Sequence, residues 1–183
     1  MTWLIVLIVV VVLVALAGLF LYNGLVSKRN RVENAWSQID VQLKRRNDLI
    51  PNLVETVKGY AAHERGTLDA VVQARNAAMS ATTPVAAAQA ENQVAGALRQ
   101  LFALSEAYPD LKANQNFLSL QEELSATEGR VAYARQFYND SVLSYNTAIQ
   151  KFPATLIASR MGFRAREYFE ADEGARQAPT VSF

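Results

Sequence analysis

The sequence predicts an all-α protein, with a single transmembrane helix at the N-terminus followed by an antiparallel bundle of three to four long helices. The first observation is an apolar stretch over residues 3–22 that contains no charged side chain. The second is that apolar residues recur every three or four positions in the rest of the chain, which is the period of a helix with one buried face. The third is that glycine (8) and proline (5) are scarce among the 183 residues, and both residues weaken helices.

Residues 1–27 are predicted to be a membrane anchor. The stretch is apolar on every face, and the first charged side chain is Lys28. About 20 apolar residues cross a hydrocarbon core of roughly 30 Å at about 1.5 Å per residue. Trp3 and Tyr22 lie at the two ends of the stretch, where aromatic side chains anchor a helix at the membrane interfaces.

A cleaved signal peptide is the alternative interpretation of this stretch. Ala15-Leu16-Ala17 fits the small-residue pattern of a cleavage site. No lysine or arginine precedes the apolar run, however, and the run continues through Tyr22. A signal peptide has a basic beginning and a shorter apolar region, so a retained anchor is favoured.

The orientation of the anchor is predicted from its flanking charges. Lys28, Arg29 and Arg31 follow the apolar stretch, and no basic side chain precedes it. The positive-inside rule then places residues 28–183 in the cytoplasm and the N-terminus outside. Three basic residues are too few to argue for recognition of a specific anionic lipid.

The first helical segment after the anchor runs from about residue 28 to residue 80, with Pro51 inside it. A proline removes one helical hydrogen bond and clashes with the preceding turn, so either the helix kinks or two helices meet there. A kink is favoured because the apolar pattern keeps its phase across Pro51. Gly59 and Gly66 are further weak points, and the first clear break is expected at residues 81–84.

Two more long helices are predicted beyond this break. Thr83 as N-cap and Pro84 at the first helical position begin the second, over residues 85–107. The third covers residues 117–152, where apolar positions recur about every 3.5 residues, as in a coiled coil. Residues 153–183 are expected to form a C-terminal amphipathic helix and tail.

The tail has two interpretations. In the favoured one it packs against the bundle. In the other, its aromatic and arginine residues lie on a membrane surface. Four acidic residues near the end of the chain argue against the second interpretation, because anionic lipid would repel them; they are Glu167, Glu170, Asp172 and Glu173.

Enzymatic and metal-binding motifs are missing from the sequence. The chain has no cysteine and one histidine, His63, which excludes thiol chemistry, disulfides and His-rich metal sites. His63-Glu64 begins like a zinc-protease helix, but Thr67 stands where a second histidine is required. We therefore expect a non-enzyme with no catalytic, cofactor-binding or metal-binding residues and no cofactor. A net charge of +1 gives no argument for nucleic-acid binding.

Two Tyr-Asn pairs mark a possible interaction face. Tyr138-Asn139 and Tyr145-Asn146 are one heptad apart and therefore share a helix face. Asparagine beside a seam can fix the register and oligomeric state of packed helices. The alternative is two ordinary half-buried tyrosines with polar neighbours. The basic pair Arg45-Arg46 is expected to form salt bridges or to be solvated rather than to bind lipid.

The sequence resembles the LemA family. The most specific block is Leu49-Ile50-Pro51-Asn52-Leu53-Val54-Glu55-Thr56-Val57-Lys58-Gly59-Tyr60. Further matches are Tyr108-Pro109-Asp110-Leu111, Tyr138-Asn139, Tyr145-Asn146 and Pro179-Thr180-Val181-Ser182-Phe183. The resemblance covers residues 22–183 and implies a membrane-anchored, all-α bundle. It implies no activity and no catalytic residues.

The sequence thus predicts a single-pass protein of the bacterial inner membrane that acts by interaction. Its expected contacts are membrane lipid, through residues 1–27, and further copies of itself, as a homo-oligomer; no nucleic-acid partner is expected. The alternative is a monomeric adaptor that tethers an unknown protein partner, such as a membrane protease or kinase.

Overall fold

The computed structural model describes residues 1–170, and all their regular secondary structure is helical. The fold-class prediction is therefore confirmed: a long apolar N-terminal helix is followed by packed helices. The elements are α1 (Thr2–Lys58), α2 (Arg65–Ser80), α3 (Pro84–Ser105), α4 (Pro109–Lys112), α5 (Gln115–Gln150) and α6 (Thr155–Ala158).

Helix α1 joins the predicted anchor to the first amphipathic segment without a break. It has 57 residues and is therefore about 85 Å long. No residue of its most apolar 18-residue window is buried, and α1 is long and apolar enough to cross a membrane. The predicted boundary between residues 27 and 28 lies inside this helix.

The first break after the anchor lies earlier than the sequence analysis places it. Helix α1 continues through Pro51 and ends at Lys58, and α2 begins at Arg65, so the expected single segment over residues 28–80 is wrong. Glycine destabilises a helix interior, and Gly59 follows the last helical residue. The turn after it buries Ala61, whose N–H donates to the Val57 carbonyl at 2.8 Å. The break at residues 81–84 is the second one.

The chain forms two compact units. The first comprises Met1–Ser37 and Phe137–Arg166. Beyond the exposed apolar stretch, its buried residues come from α1, from α5 and from the segment after α5; they include Leu25, Val32, Ala35, Val142, Tyr145, Ile149, Ala154, Ala158 and Phe163.

The second unit comprises Gln38–Gln136 and, within the described residues, 167–170. Its core is built from α1, α2, α3, α4 and α5, and includes Ile50, Leu53, Val57, Val71, Val94, Leu101, Leu111, Phe117 and Leu124. Helix α3 begins as predicted, because the Ala86 N–H donates to Thr83 Oγ1 at 3.2 Å and Pro84 occupies the first turn. Four alanines of α3 are buried, and their small side chains allow close packing of neighbouring helices: Ala87, Ala88, Ala90 and Ala97.

The segment after α5 contains one short helix. Helix α6 has four residues and lies in residues 153–183, where a C-terminal amphipathic helix and tail are expected. Gly162 has φ +76°, its N–H donates to the Ser159 carbonyl, and the Phe163 N–H donates to the Ala158 carbonyl at 2.9 Å. This is a Schellman motif, which ends a helical turn at a left-handed glycine. Asp172, Glu173 and the expected irregular end at 178–183 lie outside the described residues.

Candidate functional site

The first unit carries most of the residues that the sequence analysis singles out. Trp3 and Tyr22 are exposed and lie about 28 Å apart along α1, which is close to the thickness of a hydrocarbon core. The Tyr22 ring contacts the Phe163 ring edge-on, with 5.6 Å between the centroids. Tyr22 therefore has a partner inside the protein as well as an exposed face at the end of the apolar stretch.

The three basic residues after the apolar stretch each contact a side chain of the same unit. Lys28 Nζ donates to Ser144 Oγ at 2.7 Å. The Arg29 guanidinium lies 5.5 Å from the centroid of the Phe163 ring, and that of Arg31 lies 5.3 Å from the Phe137 ring. Cation–π contacts of this kind contribute about 0.5–1 kcal/mol at exposed sites. The charges predicted to set the topology thus also attach α1 to its neighbours.

The tyrosines of the two Tyr-Asn pairs face the interior of the unit. Tyr138 is 3% exposed and Tyr145 is 1% exposed, so both are buried more deeply than half-buried tyrosines would be. The Tyr138 ring lies 5.7 Å from the Trp36 ring. The two tyrosines do share a helix face, and it packs within the chain. A contact of this face with another molecule stays a prediction.

The asparagines of the pairs lie at the edge of this packed face, where both are half-buried. Asn146 is bonded to the backbone of Arg166 in both directions. Its Nδ2 donates to the Arg166 carbonyl at 2.9 Å, and the Arg166 N–H donates to its Oδ1 at 2.9 Å. The Arg166 guanidinium also pairs with Glu33 Oε1 at 3.0 Å. Asn146 therefore fastens the segment after α6 to α5, a role that its seam position did not predict.

The second unit contains a buried ion pair that the sequence analysis did not assign. Arg46 Nη1 lies 2.7 Å from Glu91 Oε2, and the two side chains are only 5% and 7% exposed. Burial raises the pKa of the Glu91 carboxyl, and the charge and hydrogen bond of Arg46 oppose that rise. The neighbouring Arg45 pairs with Glu123 at 3.0 Å on the surface, so both arginines form salt bridges, as expected.

A cavity of about 270 Å³ borders this ion pair. Its lining mixes charged groups of both signs with apolar side chains, and includes Arg46, Arg99, Glu128, Leu98 and Phe102. One nitrogen of the buried pair, Arg46 Nε, and one oxygen, Glu91 Oε1, have no hydrogen-bond partner. No pattern of spacing in the sequence could have found this arrangement, because the residues come from three different helices.

No catalytic constellation is found among residues 1–170. That part of the chain contains no group of His, Asp and Glu side chains that could hold a metal ion. His63 is exposed in the turn between α1 and α2. Its neighbour Glu64 accepts a hydrogen bond from the Tyr108 hydroxyl at 3.0 Å, and this bond raises the pKa of Tyr108. The aromatic and charged side chains that these residues bring together can pack and form ion pairs.

Comparison with known proteins decides the family. A model of the LemA family matches residues 35–183. The chain belongs to the LemA family. Protein LemA of Metamycoplasma hominis is 30% identical to it over 155 residues, covering 82% of this chain and 69% of that protein. Magnetosome protein MamQ of Magnetospirillum gryphiswaldense is 26% identical over 187 aligned positions, covering 88% of this chain and 68% of that protein.

A further relative of this LemA family member has a similar sequence identity and a similar coverage. Magnetosome protein MamQ 2 of Paramagnetospirillum magneticum is 25% identical, with the same coverage of 88% and 68%. The alignments extend over most of both chains in each comparison, so the similarity concerns the helical domain as a whole.

Proposed function

We propose that this protein is a membrane-anchored helical scaffold that self-assembles at the bacterial inner membrane. Its N-terminus lies outside and residues 28–183 lie in the cytoplasm. The observation that carries the proposal is the continuity of α1, which begins as an apolar helix with no buried residue in its most apolar window and continues into the core of the helical domain. A helix of this kind holds the domain directly at the membrane surface.

Anchoring favours assembly because it confines the chains to the plane of the membrane. Confinement raises the effective concentration, so weak contacts between neighbouring domains suffice. In the second unit, α5 offers an apolar surface for such a contact. Tyr133 is 75% exposed, and Leu118 is also exposed on this helix. An added Cβ at Gly129, one turn before Tyr133, would meet nothing within 4 Å, so a neighbouring helix can approach closely there.

The size of the full-length protein in mild detergent and in nanodiscs tests self-assembly. We expect particles containing several copies by mass photometry. Tyr133→Ser should reduce their size, whereas Met79→Ser, at an exposed apolar position of α2, is the matched control and should leave it unchanged. Single copies at every concentration would refute self-assembly. A foreign protein bound to such single copies in stoichiometric amount would support the adaptor alternative.

The absence of cysteine from the chain allows the topology to be tested with single introduced cysteines. Thr2→Cys should react with a membrane-impermeant maleimide in intact spheroplasts. Ser119→Cys, at an exposed position of α5, should react only after permeabilisation. The reverse pattern would overturn the proposed orientation, and reaction of neither residue before permeabilisation would exclude an outside N-terminus.

A further inference from the structure

The segment that follows α5 exposes three large apolar side chains. Phe152 is 79% exposed, Leu156 60% and Met161 47%. We call these three residues the apolar tip. Outside residues 1–22, Phe152 is the most exposed of the large apolar residues in the described chain. Buried neighbours in the same segment, Ala154 and Ala158, show that the segment has an inner face, so the apolar tip is its outer face.

The register of α5 against α1 places the apolar tip beside the end of the predicted span. Within the first unit, Tyr138 contacts Trp36 and Ser144 contacts Lys28. Residue numbers rise along α5 as they fall along α1, so the two helices are antiparallel there. The same register brings the C-terminal end of α5 level with Tyr22.

The contacts of Phe163 independently place the apolar tip beside the end of the predicted span. Phe163 is buried, and its ring contacts Tyr22 and lies under the guanidinium of Arg29. Gly162 links Phe163 directly to Met161 of the apolar tip. The tip is therefore attached to the residue at which the apolar stretch ends, where the polar layer of a membrane would begin.

The charges around the apolar tip favour an anionic surface. No aspartate or glutamate occurs between Asp140 and Glu167, whereas Lys151, Arg160 and Arg164 lie within that stretch and are exposed. The acidic residues whose presence in the sequence argues against a membrane contact begin at Glu167, which follows the apolar tip. Segments that lie in the interface of an anionic bilayer combine aromatic and aliphatic side chains with flanking lysine and arginine.

We propose that the apolar tip is a second membrane contact, inserted into the cytoplasmic interface of the same anionic bilayer that α1 crosses. The inference rests on the membrane anchoring proposed above. A unit that is held to the membrane both by α1 and by the apolar tip cannot rotate freely about the axis of α1. The second contact therefore fixes the orientation of the first unit on the membrane surface.

Nitroxide labels on single introduced cysteines test this in the full-length chain. The chain would be reconstituted in vesicles of phosphatidylcholine and phosphatidylglycerol, and collisions with oxygen and with a water-soluble nickel complex would be measured. Leu156→Cys reports on the apolar tip. Met79→Cys is the matched exposed control, on α2 and outside the proposed assembly surface, and Val10→Cys reports on the anchor. We expect the label at position 156 to collide several-fold less often with nickel and more often with oxygen than the label at position 79.

Three other results would overturn the inference, and they are distinguishable. If the label at position 156 is as accessible to nickel as that at position 79 while position 10 is protected, the anchor stands and the tip is in water. If position 156 is shielded from both oxygen and nickel, protein covers it, as in a contact with a second copy. If position 10 is itself accessible to nickel, the anchoring fails, and the proposed function fails with it.

Discussion

Removal of one partner of the Arg46–Glu91 pair is expected to cost more stability than any surface change nearby. Both side chains are almost fully buried, and their charged atoms lie 2.7 Å apart. Arg46→Met leaves the Glu91 carboxyl without its partner in a poorly solvated site, which costs about 3–5 kcal/mol. At about 2–4 °C per kcal/mol for a chain of this size, the melting temperature should fall by about 6–20 °C. Replacing both partners, as Arg46→Met with Glu91→Leu, should recover most of the loss.

Thermal unfolding of the full-length protein in detergent, followed by circular dichroism at 222 nm, is the assay. Arg45→Met is the matched control, because its partner Glu123 is on the surface and exposed pairs contribute less than about 1 kcal/mol. A loss below about 1 kcal/mol for Arg46→Met would refute the reasoning. It would mean that water reaches the pair through the adjacent cavity and solvates the remaining charge.

Four further predictions follow from single residues. Because the pKa of Glu91 is raised in the folded protein, the folded state holds this proton more tightly than the unfolded state. The stability of the wild type relative to Glu91→Gln should therefore increase as pH falls from 7 towards the ordinary carboxyl range, in melts across pH. Asn146→Ala removes two hydrogen bonds to Arg166; it should cost about 1–2 kcal/mol and speed tryptic cleavage after Arg166, and an unchanged cleavage rate would contradict this role. Gly162→Ala forces a side chain into a left-handed conformation at φ +76° and should cost about 1–2 kcal/mol. Gly129→Ala, within α5 and facing open space, should instead stabilise by about 0.5–1 kcal/mol in the same melts.

Long periodic segments and local signals were predictable from the sequence. The 3.5-residue pattern over residues 117–152 corresponds to α5, Gln115–Gln150. Thr83 and Pro84 begin α3 as expected. These predictions succeed because a helical period and an N-cap depend on residues within one turn of each other.

The prediction of one segment over residues 28–80 fails because two local preferences compete there, and spacing alone does not say which face of a helix is interior. The apolar pattern continues past Lys58, but the helix ends there, because the turn that follows Gly59 buries Ala61 between packed helices. The interaction face at Tyr138 and Tyr145 stays a prediction. Heptad spacing places the two tyrosines on one face of α5 but does not say whether that face packs inside the chain, and the contact of Tyr138 with Trp36 depends on α1.

The sequence by itself determined the helical class, the apolar stretch of α1, the basic residues that follow it and the family. Each is a property of neighbouring residues or of composition. Only the tertiary structure decided that Arg46 pairs with Glu91, that Asn146 holds the backbone of Arg166, and that the Phe163 ring packs against Tyr22. These contacts join residues far apart in the chain. Their formation depends on the register between helices, which the pooled burial of many side chains sets and no single period reveals.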